Sequence, residues 1–448
     1  MQAQPHFHRQ TRTRRHIAAI TLATLALLGM AMPVAAVDRF DLPATQLRVT
    51  LDRALAEHAF LTLEAMRTGI EQGDAFAAAG EALEGNTVEV VGLIESVYGL
   101  DAADAFGDLW RAHIGYVVDY TRALADGDQA AQDRAEDQLR AYTGELAELL
   151  AGANPELTVS GVQELLEDHV AQLEQVAAFA SQDYAEAYPA VRETYAHMFM
   201  IGDGLAAAIS RQFPEKFTGR DVAFGPAVGL GITLDRLLGE HALLAVLATR
   251  AGLTGAADRD EAVAALDANS GDLAEAIAFI YGQAAGDAFA DLWRTHVGYY
   301  LDYVDARRDD DGPAMQDAAD GLQQYRSDFS AFVADENPNL SVSDLEELLT
   351  MHTDHLIAQV DAFAEGNYEG AYTATREAYA HMGAIASALA VAIAAQFPDR
   401  YPDTRLPADR PVPVAWVGSA AIGVFALLVA LRARREVLHQ EDRRPRHK

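Results

Sequence analysis

The chain has 448 residues, half of them hydrophobic, and no cysteine, so disulfide frameworks, thiolate metal sites and cysteine nucleophiles are excluded. Its 67 acidic residues against 34 basic ones leave a net charge of −33, and that surface repels nucleic acid. The length suits two or three domains, each able to bury a core.

The N-terminus reads as a signal peptide, residues 1–36. Arg9, Arg12, Arg14 and Arg15 precede an apolar run from Ile17 to Ala36, and Val34-Ala35-Ala36 supplies small residues for cleavage. Thr13-Arg14-Arg15-His16-Ile17 resembles a twin-arginine export signal. Near the other end, residues 412–431 carry no charge, and a helix of that length spans roughly 30 Å, one bilayer core. The arginines that follow Leu431 put a basic tail, residues 432–448, on the cytoplasmic side. The expected protein is single-pass in the cell membrane, with an acidic extracytoplasmic part and a Pro-rich stalk at 401–411. Membrane is the one expected partner; nucleic acid is not, and the sequence names no protein partner.

Between these ends the chain repeats itself. Leu51-Asp52-Arg53 and Glu57-His58-Ala59 recur as Leu234-Asp235-Arg236 and Glu240-His241-Ala242, an offset of 183 residues. Trp110-Arg111-Ala112-His113 recurs as Trp293-Arg294-Thr295-His296 at the same offset. After one inserted residue, Tyr195-Ala196-His197-Met198 recurs as Tyr379-Ala380-His381-Met382. Repeat 1 spans 37–218 and repeat 2 spans 229–400.

Each repeat reads as all-α. Apolar residues recur every three or four positions, which predicts helices over 46–68, 74–98, 101–125, 128–151, 161–181 and 184–211 in the first copy. Gly73, Gly99, Gly127 and Gly152 punctuate the breaks. Ser160-x-x-Gln163 and Ser343-x-x-Glu346 read as capping boxes at the start of the fifth helix. The fold expected is two tandem antiparallel bundles, each with four long and two accessory helices, plus one C-terminal transmembrane helix.

Nine histidines lie in the repeats, and eight are repeat-related: His58, His113, His169 and His197, then His241, His296, His352 and His381. They fall near the midpoints of four different helices, and midpoints of an antiparallel bundle share one level. Four imidazoles meeting in an apolar interior suit a transition-metal ion. Met198, Met382, Glu193, Glu377 and His355 are further candidate ligands. Methionine beside histidine without thiolate favours copper; histidine with glutamate at helical spacing favours iron or zinc. The competing explanation is packing, with the histidines as core residues and Arg111, Arg192, Asp119 and Glu193 as an ion network that holds the bundle's register.

The segments Leu234-Asp235-Arg236-Leu237-Leu238-Gly239-Glu240-His241, Trp293-Arg294-Thr295-His296-Val297-Gly298-Tyr299 and Arg376-Glu377-Ala378-Tyr379-Ala380-His381-Met382 resemble secreted, tandem-repeat helical bacterial proteins often named copper amine oxidase-like. The resemblance covers both repeats. The true copper amine oxidases are β-rich and form a quinone from Tyr in Asn-Tyr-Asp/Glu. Asn367-Tyr368-Glu369 matches that tripeptide, but its repeat counterpart is Asp183-Tyr184-Ala185, so amine oxidation is not expected. No phosphate-binding loop, Gly-x-Ser-x-Gly elbow or His-Glu-x-x-His is present, and no catalytic residues are assigned. The function expected is extracytoplasmic metal binding with copper favoured. The alternatives are a di-iron or copper redox enzyme acting on oxygen or peroxide, and a structural or sensory module.

Overall fold

The computed structural model describes residues 39–402, apart from position 72 and the side chains of 174–176. The expected signal peptide, the span at 412–431, the basic tail and nearly all of the stalk lie outside the described residues.

Among the described residues the protein is helical throughout. Repeat 1 consists of α1 (Pro43–Ile70), α2 (Phe76–Tyr98), α3 (Leu100–Asp126), α4 (Gln129–Ala153), α5 (Val159–Val176), α6 (Ala178–Ser181) and α7 (Tyr184–Gln212). The short α8 (Arg220–Ala223) joins it to repeat 2. That repeat consists of α9 (Pro226–Thr254), α10 (Arg259–Tyr281), α11 (Gln283–Arg308), α12 (Gly312–Glu336), α13 (Val342–Ala364) and α14 (Tyr368–Gln396). Gly99 and Gly282, at φ 88° and 99°, are the single residues that separate α3 and α11 from the preceding helix, in a backbone conformation that favours glycine.

The caps of the fifth helix differ from the expectation. In α13 the N-cap is Ser341, whose side chain accepts from the Asp344 amide. In α5 Thr158 accepts from the Gly161 amide. The two are repeat-related, and each helix starts before Ser160 or Ser343, which therefore sit inside its first turn. The cap is the last residue with extended backbone, and Ser341 is extended at φ −97°, ψ 146°.

Within each repeat, helices adjacent in sequence pack side by side, and the ring closes where α7 returns to α1 and α14 to α9. The second and fourth helices are full members of this ring. The expected split into four long and two accessory helices is therefore replaced by one in which α2 and α10 also join the repeats: α2 packs on α14 and α10 on α7. Helices α1 and α9 are buried around most of their circumference, and one continuous apolar core runs through both repeats.

Repeat-related residues meet their counterparts reciprocally. The Tyr195 hydroxyl donates to that of Tyr379, its equivalent, at 3.3 Å, which places the pair on a local two-fold axis. Arg192 of repeat 1 forks onto Glu240 of repeat 2 at 2.9 and 3.0 Å. Arg376 of repeat 2 forks onto Glu57 of repeat 1 at 2.9 and 3.1 Å. Each glutamate also accepts from an amide of its own repeat, Asn269 at 2.7 Å and Asn86 at 2.8 Å. The expected ion network thus exists for Arg192 but not for its proposed companions. Arg111 pairs with Glu84 at the surface, Asp119 faces Arg122 there, and Glu193 is exposed.

The symmetry is broken at the contact of Arg53. Arg53 reaches Asp235 at 2.7 Å by passing over Gly383, where a Cβ would lie 2.1 Å from the guanidinium carbon. The position equivalent to Gly383 is Phe199, and the reciprocal bond from Arg236 to Asp52 is not made. Asp52, fully buried beside Asp203, has its carboxyl pushed well up, first by desolvation and then by the neighbouring carboxylate.

One described helix, α14, is long and apolar enough to cross a membrane. Two-thirds of its most apolar stretch is buried inside the protein, and the helix carries Arg376 and His381. Those features fit a core helix.

Candidate metal centre

The histidines arrive on separate helices: His58 on α1, His113 on α3, His169 on α5 and His197 on α7, with His241, His296, His352 and His381 on α9, α11, α13 and α14. All eight are buried. Three of the four converge in repeat 2, and in repeat 1 two meet with a third nearby. His58 and His113 approach Nε2 to Nε2 at 3.2 Å, and His169 lies beside them with its ring centroid 6.5 Å from that of His58. In repeat 2 the corresponding separation between His241 and His296 is 3.4 Å. One ring nitrogen from each of His241, His296 and His352 lies within 4.8 Å of the others.

The fourth histidine of each set is turned away. His197 Nε2 donates to the Leu165 carbonyl at 3.0 Å, and His381 Nε2 to the Leu348 carbonyl at 2.8 Å. Each thereby ties the last helix of its repeat to the fifth. Height along the helix placed these residues at the right level, but the rotation of the helix about its axis decided which side chain faced the triad.

Of the other candidates, Glu193 and Glu377 are exposed, and Glu377 lies 3.5 Å from His355 Nδ1 at the surface. His355 is half-buried, its ring 5.8 Å from His381. Met198 and Met382 are buried in the core. Among the described residues no carboxylate joins the triad of repeat 2.

Aromatic residues that the sequence did not single out as a site wall the triads. Tyr142 stacks on His113 at 4.7 Å with 16° between the planes, and Tyr325 on His296 at 4.6 Å and 22°. Trp110 lies 4.5 Å from His58, and Trp293 lies 4.8 Å from His241. The signal was in the repeat: each pair is separated by the same 183 residues as the histidines.

Burial sets the protonation state. Desolvation, reinforced by the neighbouring imidazoles, holds His58, His241 and His352 well below the ordinary histidine range. The same causes bring His113, His169 and His296 down to about 3. Each triad is therefore neutral at pH 7, the state in which an imidazole binds metal. Among the described residues, Nδ1 of all six rings and Nε2 of His352 have no hydrogen-bond partner.

One Nε2 pair in each repeat, at 3.2 and 3.4 Å, has the spacing of two ligands on one metal ion. Two ligands at about 2.05 Å on the corners of a tetrahedron are about 3.3 Å apart. Three neutral nitrogens leave a fourth position open.

The class that fold and site define is, over the described residues, an all-helical, internally duplicated protein with a buried histidine triad in its second half and a repeat-related histidine cluster in its first. No protein-family model, no curated protein and no solved structure matches the chain.

Proposed function

We propose that the protein binds one transition-metal ion per repeat, at His58, His113 and His169 and at His241, His296 and His352, and that copper is the metal. The carrying observation is the convergence of three neutral, buried imidazoles in repeat 2, with the repeat-related His58, His113 and His169 gathered at the equivalent place in repeat 1. A hydrogen bond between two of the rings is the alternative use of a 3.2 Å spacing, but it leaves several buried nitrogens unsatisfied, at about 1–3 kcal/mol each.

The donor set argues for copper. Imidazole suits copper, zinc and iron alike, but the triads bring no negative charge into an apolar interior. The cost of burying an ion rises steeply with its charge, so a monovalent ion is favoured over a divalent one. Cu(I) is the monovalent transition-metal ion among the candidates. Iron and zinc sites that rely on carboxylates find none here, since Glu193 and Glu377 lie at the surface.

The rest of the reading follows the sequence. The two repeats act as tandem extracytoplasmic bundles held at the cell membrane by residues 412–431. Their work is binding or buffering a metal rather than turnover, and the kinship with secreted proteins named copper amine oxidase-like is part of this proposal. The test is elemental analysis of the full chain purified without an affinity histidine tag and reconstituted with Cu(I) or Zn(II). Expected is one ion per repeat, halved by His296→Ala. Metal content unaffected by His113→Ala and His296→Ala together would refute the reading.

A further inference from the structure

The two histidine clusters share their aromatic walls but differ at one lining position. In repeat 1 a cavity of about 80 Å³ lies among α1, α2, α3, α4, α5 and α7, with His113 and His169 in its wall. Phe106, Trp110, Leu146 and Met198 line it as well, and the lining is hydrocarbon and aromatic apart from the two imidazoles and two tyrosines. Most of that wall is apolar, and apolar cavities take up guests such as xenon or benzene.

Repeat 2 has a different wall. Leu146 is replaced there by Phe329, 183 residues on. The Phe329 ring is buried 5.7 Å from both Phe289 and Trp293 and 5.2 Å from Tyr325. These three are the counterparts of Phe106, Trp110 and Tyr142. An aromatic ring therefore stands where repeat 1 has the smaller leucine, on the side of the triad that the cavity borders.

We propose that the first repeat binds a small, uncharged, apolar molecule, of a size between xenon and benzene, against His113 and His169, and that Phe329 denies the same ligand to the second. Occupancy of the cavity depends on its walls. Its role as the ligand side of a metal centre rests on the metal reading above. The two triads would then differ in use: the first open to a small apolar ligand beside the metal, the second closed.

Crystals of the full chain pressurised with xenon test this by anomalous scattering, with metal content read on the same crystals from absorption edges. Expected is a xenon peak in repeat 1 and none at the matching place in repeat 2. Leu146→Phe should remove the peak, and Phe329→Leu should create a second one. No peak in repeat 1, or equal peaks in both repeats of the unmodified protein, would overturn the proposal. Should Leu146→Phe fail to fold, Phe329→Leu without a new peak overturns it equally. Xenon absent with metal retained strikes the cavity alone; xenon bound with no metal strikes the metal reading alone.

Discussion

Replacing Arg192 with methionine tests whether the repeats are locked together by buried charge. Arg192 holds both oxygens of Glu240 at 2.9 and 3.0 Å, and the Glu240 side chain is only 4% exposed. Without the guanidinium, that carboxylate keeps one neutral donor, the Asn269 amide at 2.7 Å, in an interior that cannot solvate it. Removing one partner of a buried pair costs about 3–5 kcal/mol, a large share of the ~5–15 kcal/mol by which domains are stable. Adding Glu240→Gln removes the stranded charge while keeping an acceptor for Asn269, so the double variant should regain at least about 2 kcal/mol. Urea unfolding followed by far-UV circular dichroism reads both numbers. Because one apolar core spans both repeats, the transition should stay single and its denaturant slope unchanged. A single-variant cost below about 1 kcal/mol, as for an exposed pair, or no recovery in the double variant, would refute the argument. Two separate transitions would refute the shared core.

The metal-free protein should lose stability on acidification. The triad histidines titrate lower in the folded chain than in the unfolded one, so the unfolded state takes up protons first. Their stabilising effect is complete above about pH 6.5 and is lost as the pH falls towards the folded values of about 3. His113→Phe should flatten that slope by about 1.4 kcal/mol per pH unit, and superimposable slopes in acid titrations of the two proteins would contradict it. His381→Ala should leave metal stoichiometry intact and cost about 1 kcal/mol, the worth of its bond to the Leu348 carbonyl; elemental analysis beside a melting curve checks both. Thr158→Ala and Ser341→Ala should each cost about 1 kcal/mol in urea unfolding, while Ser160→Ala and Ser343→Ala stay within about 0.5 kcal/mol; the reverse order would restore the later serines as caps.

Much of the helical layout could be read from the chain. The boundaries expected at 46–68 and 184–211 fall within a few residues of those observed for α1 and α7, because three- and four-residue periodicity and turn glycines are local signals. The observed caps, Thr158 and Ser341, lie two residues before the expected Ser160 and Ser343, since hydroxyls two residues apart share one helical turn and only backbone angles separate them. The site was partly legible for a related reason. Position along a helix gives height but not azimuth, so His197 shared the level of the triad while its ring turned to Leu165. The pairing of Arg192 with Glu240 was beyond the sequence. Glu57 and Arg192 recur together as Glu240 and Arg376, and a bond within one repeat would leave the same pattern as a bond across two.

That reciprocity says something about how such a chain can change over time. Each half carries both members of the lock, a Glu57-type acid and an Arg192-type base, so an unlinked half is self-complementary in the manner of an isologous homodimer. Joining the halves through the few residues around α8 replaces a concentration-dependent encounter with an intramolecular one, at an effective concentration in the millimolar range for a short linker. A true homodimer must alter both of its sites with every substitution. A fused one need not, and three differences already use that freedom: Leu146 against Phe329, Phe199 against Gly383, and Arg250 answered by Glu64 where Arg67 is answered by Asp258.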